Sequence, residues 1–358
     1  MKKYKIGVIP GDGIGHEVMK EGLKVLEAVA QRTSEFSVDF THYDYGCEYY
    51  LRNGVMMEND GIKKLSQQDA ILLGAVGFPG VEDHISLRDL LLRIRQEFNQ
   101  YVNLRPVKLL PNVQGPLRGK GPEDIDMVFI RENTEGEYAG VGGIQSVGGI
   151  QSIALQTGVF TRETTLKTME YAFEYAKMRN KGRKVTSITK SNALNHSMVF
   201  WDNIFSEVAK RHQQIVHETL HVDAAAMFMV QNPERFDVLV ASNLFGDIMT
   251  DIGAGIQGGL GFAAGANINP EKKFPSMFEP VHGSAPSLAG KGIANPIAMI
   301  WSVRMLLDFL GHPALGELVM QAIVSVLDEP AHLTPDLGGT GTTESLGDLV
   351  CERLLENL

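Results

Sequence analysis

The sequence predicts an α/β protein, with a sheet covered by helices and two domains interleaved along the chain. Three observations carry that expectation. Strand-like and helix-like segments alternate from one end to the other. Apolar residues switch between strand patterns (alternation or a short continuous run) and helical spacing. No internal repeat or low-complexity linker separates one part from another. The 358 residues are enough for about two domains with an ample core.

Taken in order, Lys5 to Pro10 is a β-rich run that Gly11 to Gly15 turns into a helix. Val18, Gly22, Val25, Leu26 and Val29 recur at helical spacing and give that helix a buried face. Phe36, Val38 and Phe40 alternate with polar residues, the period of a half-buried strand. Ala70 to Val76 is continuously apolar and stops at Gly77 and Pro79, as a central strand would. A helix is expected from Ser86 to Phe98 and a buried strand from Ile125 to Ile130. From Gly136 to Ser152 the chain is rich in glycine and poor in long apolar side chains, which predicts a projecting hairpin or arm. Helix 162–181, strand 183–189, helix 195–211 and strands 215–222 and 236–242 follow. Gly253 to Gly265 reads as a crossing between domains, and helices near 295–311, 313–328 and 344–356 close the chain. The expected division is 1–103 with 258–358 in a large domain, and 104–257 in a smaller one carrying an arm at about 136–155.

Composition excludes several classes. Forty-four per cent apolar and 21% charged residues describe a globular chain rather than a disordered one. Ile71 to Val76, the best apolar run, is far shorter than the roughly 18 residues of a membrane span. The basic Met-Lys-Lys-Tyr-Lys opening runs into a strand and a Gly-rich turn, which is not the pattern of a signal peptide. Cys47 and Cys351 make neither a disulfide framework nor a metal cluster, so a reducing cytoplasm is expected. Thirty-three basic against 43 acidic residues leave a net charge of −10, which argues against nucleic acid but leaves room for a local anion pocket.

Four features carry chemistry. Gly11-Asp-Gly-Ile-Gly15 sits between a strand and a helix like a dinucleotide fingerprint, but His16 stands where the third glycine belongs; a tight turn without a ligand explains it equally well. In Asn243-Leu-Phe-Gly-Asp-Ile-Met-Thr-Asp251, Asp247 and Asp251 lie four apart on one helix face, where like charges repel unless a cation lies between them. Hard oxygen donors with no His or Cys nearby favour Mg2+ or Mn2+. A solvated helix face is the plain alternative, and the apolar flanks Leu244, Phe245, Ile248, Met249 and Ile252 favour a buried metal instead. Arg95, Arg105 and Arg131 could together grip a diacid through forked guanidinium bonds, although each alone reads as a surface charge. Tyr138 and Lys190 could act as acid and base if neighbouring cations lowered their pKa values; alone, each reads as an edge residue in water.

Six segments in order give these residues a common context: Pro10 to Gly15, Asn103 to Pro106, Arg131 to Tyr138, Thr189 to Asn192, Asn243 to Asp251, and Glu279 to Pro286. Together they resemble the metal-dependent β-decarboxylating 2-hydroxyacid dehydrogenases, which include isocitrate, isopropylmalate and tartrate/D-malate enzymes. The resemblance implies an isopropylmalate dehydrogenase-like fold with a non-classical dinucleotide site. Arg95, Arg105 and Arg131 would bind the substrate carboxylates. Asp247 and Asp251 would hold the divalent metal, joined by Asp223 of a second subunit. Lys190 would also come from that subunit and serve as base, with Tyr138 protonating the enol. A homodimer with shared sites follows, with the Gly-rich arm as its clasp. Ile14, Val76, His282, Gly283, Ser284, Ala285 and Asn295 would line the cofactor pocket.

Within the family, Arg131-Glu-Asn-Thr-Glu-Gly-Glu-Tyr138 departs from the isopropylmalate form. The isocitrate branch carries Ser and Asn where this chain has Asp89 and Leu91, and the isopropylmalate branch carries Glu where it has Arg88. Glu97 to Asn103, Phe274 to Phe278 and Asn295 to Trp301 resemble the tartrate/D-malate branch, which implies oxidative decarboxylation of D-malate, oxidation of tartrate, or both. A 3-isopropylmalate enzyme is the alternative, and a non-catalytic regulatory homologue the alternative of another class. Ser287 stands where NAD-using relatives carry an acid, and the Lys and Tyr of NADP users are absent, so NAD is expected.

Overall fold

The structure is a computed structural model that describes residues 2–358. It resolves into two compact units: the first takes residues 2–100, 109–122 and 254–358, and the second takes 101–108 and 123–253. The chain thus passes between them repeatedly. Segment 109–122 belongs to the first unit rather than to the smaller one, and the last crossing falls between Gly253 and Ala254, where the Gly-rich stretch begins.

In chain order the first unit begins with β1 (Lys2–Gly11), α1 (Gly15–Arg32), β2 (Phe36–His42), α2 (Cys47–Asn53), α3 (Gly61–Leu65), β3 (Ala70–Ala75), α4 (Asp83–Ser86), a π-helical turn at Leu87–Leu92 and α5 (Arg93–Glu97). β4 (Val102–Lys108) lies in the second unit. After the 109–122 return come β5 (Asp126–Glu132), β6 (Gly136–Val147), β7 (Ile150–Val159), α6 (Arg162–Arg179), β8 (Lys184–Thr189), α7 (Ser197–Ala209), β9 (Val216–His221), α8 (Val222–Gln231), β10 (Val238–Ala241) and α9 (Asn243–Ile256). The first unit resumes with β11 (Ala264–Ile268), β12 (Ser276–Pro280), α10 (Ile297–Leu310), α11 (Pro313–Val326) and α12 (Thr343–Asn357).

Strands of the first unit lie in the order β2-β1-β3-β12-β11. β1 pairs in parallel with β2 and β3, β12 in parallel with β3, and β11 antiparallel to β12. β3 is buried at all six positions, the continuous apolar strand that two parallel neighbours require. The α1 stripe of Val18, Val25, Leu26 and Val29 is buried, and Gly22 lets α10 come close: a Cβ there would stand 2.6 Å from Met299 Cγ. Strands of the second unit run β4-β5-β10-β8-β9, with β4 antiparallel to β5 and the rest parallel. The C-terminal ends of β5, β8 and β10 therefore open on one edge, the edge where α/β sheets place their chemistry.

Two local expectations change. The helix expected from 86 to 98 forms as one continuous helical run over 83–97 whose middle, Leu87–Leu92, is π-helical, a register that propensity cannot reveal because every residue in it tolerates an α-helix. β4 is an additional strand, hidden in the sequence by Pro106, which supplies no N–H to a ladder. The arm forms as an antiparallel two-stranded ribbon of β6 and β7, reaching Val159. Its Val141, Ile144, Val147, Ile150, Ile153 and Leu155 side chains are all exposed. Among the described residues no helix is long and apolar enough to cross a membrane. Both cysteines are free and buried.

Candidate active site

β10 is four buried apolar residues, and Ser242 alone separates it from α9. Asn243, Asp247 and Asp251 follow at intervals of four and share one helix face, with Thr250 beside them. On the single chain Asp247 is 39% exposed in its side chain and Asp251 is exposed, so the two carboxylates face outward from it. Ile248 between them is exposed as well. The Asp251 carboxyl is pushed above its usual range, first by partial desolvation and then by the Asp247 charge, while Arg105 and Arg131 pull it back.

Two of the three arginines meet here. Arg131, in β5, is 2% exposed and Arg105, in β4, is 7% exposed, which disposes of the surface-charge reading. Arg131 Nη1 donates to Asp247 Oδ1 at 2.5 Å, while its Nε and Nη2 both donate to Asn243 Oδ1 at 3.1 and 2.7 Å. Arg105 Nη1 donates to Thr250 Oγ1 at 2.6 Å and stands 3.6 Å from Asp247 Oδ1. Thr250 in turn bonds the Gly246 and Asp247 carbonyls, so its hydroxyl is fixed by α9 itself. Tyr138 donates its hydroxyl to Asp247 Oδ2 at 2.7 Å, and its ring lies 5.5 Å from the Arg131 guanidinium carbon. One carboxylate therefore collects two guanidinium groups and a phenol. A donor set of this kind is built to hold a carboxylate.

Arg95 lies in the first unit, 5% exposed, and donates from Nη2 to Glu279 Oε1 at 2.7 Å, an oxygen that Asn267 also reaches. Lys190 and Asp223, from the end of β8 and the start of α8, pair with each other at 2.5 Å. Lys190 holds the exposed Asp223 carboxyl below its usual range. Among the described residues no three His, Cys, Asp or Glu side chains gather as a cation site, so Asp223 does not join Asp247 and Asp251 within one chain. The oxygen donors of α9 suit Mg2+ or Mn2+, and a single chain supplies two of them.

The expected cofactor residues all lie in the first unit. Ile14 N–H donates to the Ser284 carbonyl at 2.9 Å. Gly13, at φ +56°, is required there, because a Cβ would lie 2.2 Å from that same oxygen. Asp12, fully buried, accepts the N–H groups of Cys47, Glu48 and Gly77 at 3.0 Å each, tying β1 to α2 and to the loop after Val76. Glu17 accepts from Gly290 and Gly292 N–H, binding α1 to the 282–292 loop. The glycine-rich turn is thus a junction between loops, and His16 needs to be no glycine because it is exposed. His282 has Nδ1 3.0 Å from the Gly283 carbonyl, so Nδ1 carries the proton. Burial lowers its pKa and keeps it neutral. Its Nε2 is then a buried acceptor with no partner, a fit for a ligand's hydroxyl or amide. Asn295 accepts from Ile297 N–H at the start of α10 and donates to Asp336 at 3.0 Å. Ser287 is exposed and free of any carboxylate duty.

Sequence reasoning passed over Asn243, Thr250, Gly246 and Asp12. The Asn-x-x-x-Asp-x-x-x-Asp spacing of α9 was the available signal for Asn243.

The fold and this pairing of arginines with helix carboxylates define an α/β protein with a donor set for a carboxylate. The family model for isocitrate/isopropylmalate dehydrogenase matches residues 5–350, and the chain belongs to that family, as a dehydrogenase with its fold. Within it, the chain is 48% identical over 355 residues to a Bacillus subtilis (strain 168) protein described as a probable tartrate dehydrogenase/decarboxylase, covering 99% of each. It is 48% identical over 363 residues to the D-malate dehydrogenase [decarboxylating] of Escherichia coli (strain K12), and 48% over 355 residues to the 3-isopropylmalate dehydrogenase of Thermobifida fusca (strain YX), again covering 99% of each. The crystal structure of isocitrate dehydrogenase from Methylococcus capsulatus superposes with a TM-score of 0.88 at 34% identity, covering 98% of this chain and 99% of that one.

Proposed function

We propose that the protein catalyses the NAD-dependent, divalent-metal-dependent oxidative decarboxylation of a small 2-hydroxy dicarboxylic acid: D-malate to pyruvate and CO2, tartrate oxidation, or both. The observation that carries this is the convergence of Arg105, Arg131 and Tyr138 on the Asp247 carboxylate. A substrate carboxylate takes over the guanidinium donors that Asp247 now occupies, which frees Asp247 to turn to a cation with Asp251 and with Asp223 of a second copy. The bound Mg2+ or Mn2+ would polarise the C2 oxygen, and NAD would accept the hydride. Arg105 and Arg131 fix the diacid so that its β-carboxylate can leave, a positioning effect of the kind that accounts for several kcal/mol of many barriers. By the family resemblance, Arg95 would serve the same diacid. The Tyr138 hydroxyl gives its proton to the enolate carbon after CO2 departs, and the Lys190 amine of a second copy accepts the C2 hydroxyl proton.

A homodimer with shared sites is part of the same reading. Two features support it: the α9 acids number two where a closed site needs more, and the β6–β7 ribbon shows apolar residues along its length. A lone hairpin is marginal in water and calls for a partner. His282, Gly283, Ser284 and Ala285, with Ile14, Val76 and Asn295, would hold the dinucleotide, the unpartnered His282 Nε2 accepting one of its donors. Free cysteines suit a reducing cytoplasm. For 3-isopropylmalate the branched side chain needs apolar surface. Arg88 and Asp89, on the turn that the family uses as a pocket, are exposed and charged, which favours the smaller acids.

NADH formation with D-malate, the tartrates, 3-isopropylmalate and isocitrate, each with and without EDTA, tests the reading. Turnover of D-malate or tartrate that EDTA abolishes is expected. Strong preference for 3-isopropylmalate would reject the substrate assignment, and preference for NADP would reject the cofactor.

A further inference from the structure

The Arg131 guanidinium has a second neighbour besides the carboxylate, and that neighbour is held from behind. Asn243 Oδ1 accepts both Nε and Nη2 of Arg131, and Asn243 Nδ2 donates to the Glu135 carbonyl at 3.1 Å. Glu135 is itself fixed. The buried Glu132 carboxylate accepts the N–H of Thr134 at 2.6 Å, its hydroxyl at 2.8 Å, and the N–H of Glu135 at 3.1 Å. Since Arg131 and Glu132 are consecutive in β5, the connection closes on itself: Arg131 side chain to Asn243, Asn243 to the Glu135 backbone, and back along the turn to β5. The amide has one orientation available. Flipping it would set its N–H2 against the guanidinium donors and its oxygen against the Glu135 carbonyl. Asn243 is itself fully buried, so no water replaces it cheaply.

From this geometry we infer that Asn243 is a positioning residue, an amide clamp that aims the Arg131 Nη1 edge at the substrate carboxylate, with Glu132 bracing the turn behind it. The inference rests on the role proposed for Arg131. Without the clamp, Arg131 keeps its charge but loses the acceptor of two of its N–H groups, and the guanidinium turns away from the carboxylate. Hydrogen bonds to charged groups contribute enough for the loss of one to weaken binding about tenfold or more.

The test uses the full chain and D-malate as probe, with Asn243→Ala and also Asn243→Ser, which keeps a polar side chain yet is too short to reach both partners. Four readouts are taken: KM for D-malate, KM for NAD, the melting temperature, and proton exchange at the Arg131 Nε–H followed by NMR in arginine-labelled protein. Expected is a rise of about tenfold or more in KM for D-malate with KM for NAD unchanged, together with faster Nε–H exchange. In an Arg131→Lys background, Asn243→Ala should add less than about twofold, because the clamp then has nothing to aim. An unchanged KM for D-malate, a parallel rise for NAD, or a full effect in the Arg131→Lys background would overturn the inference. If the unaltered protein oxidises no 2-hydroxy diacid, the functional reading fails by itself, and the exchange rate still decides the clamp: equal rates with and without Asn243 reject it, faster exchange without it supports it.

Discussion

Gly246 offers a perturbation whose size can be worked out from the structure. It lies on α9 between Asn243 and Asp247, and the Arg131 stem runs across it. A Cβ built there falls 2.5 Å from Arg131 Cγ, 2.7 Å from its Cβ and 3.1 Å from its Cδ. The first two are stem atoms close to the backbone of a strand, so the side chain cannot swing aside as a flexible tip could. Gly246→Ala should gain up to about 1 kcal/mol of helix propensity and lose about 1–3 kcal/mol to overpacking, leaving the melting temperature little changed or modestly lower. Function should suffer more than stability. Displacing the stem pulls the guanidinium off Asn243 and Asp247, and losing charge-assisted bonds of about 1.5–3 kcal/mol raises KM for the diacid roughly tenfold to a hundredfold. Gly255→Ala is the control, since a Cβ there meets nothing within 4 Å on the same helix. It should leave the kinetics alone and stabilise by up to about 1 kcal/mol. Steady-state kinetics with thermal melts make the comparison. Gly246→Ala with a normal KM for the diacid would refute the assignment of Arg131 to the substrate.

Three further outcomes are expected. Glu132 is completely buried, and burial raises its carboxyl from 4.5 to about 7; because the unfolded chain ionises first as pH rises, native stability should fall between pH 4.5 and 7 by on the order of 3 kcal/mol, then level off. Glu132→Gln should lack that slope in denaturant titrations across the range, and an identical slope in both proteins would show that Glu132 is not the titrating group. Tyr138→Phe removes the hydroxyl that donates to Asp247 and should lower kcat about 10²–10⁴-fold with a small change in KM, measured in initial rates; a wild-type kcat would remove Tyr138 from proton transfer. Ile144→Asp with Leu155→Asp puts charge on the exposed apolar ribbon and should shift the mass measured by light scattering from dimer toward monomer, with loss of activity; an unaltered dimer would place the interface elsewhere.

Much of the fold was legible because its signals are local. The apolar run of β3, the stripe of α1 and the glycine-rich ribbon each announce themselves within a dozen residues or so. β4 and the π-helical turn were not legible. One carries a proline against strand propensity, and the other differs from an α-helix only in hydrogen-bond register. At the site, Asp247 and Asp251 were visible as a spacing, while the exposure of Ile248 between them on the single chain was not. The meeting of Arg105 with Arg131 could not be read from separate segments. It depends on β4 and β5 lying side by side, with Asn103 opposite Arg131, a tertiary fact. Asp12 illustrates a further limit: its carboxylate serves three backbone N–H groups, and backbone partners leave no pattern in sequence.

The most direct test is product stoichiometry with the cation under control. Protein treated with EDTA is given NAD and D-malate, Mn2+ is added back in steps, and NADH, pyruvate and CO2 are all counted. No product before the addition, and the three appearing in equal amounts after it, is the predicted result. Undiminished turnover in EDTA, or NADH formed without matching CO2 from D-malate, would contradict the oxidative decarboxylation proposed at Asp247 and Asp251.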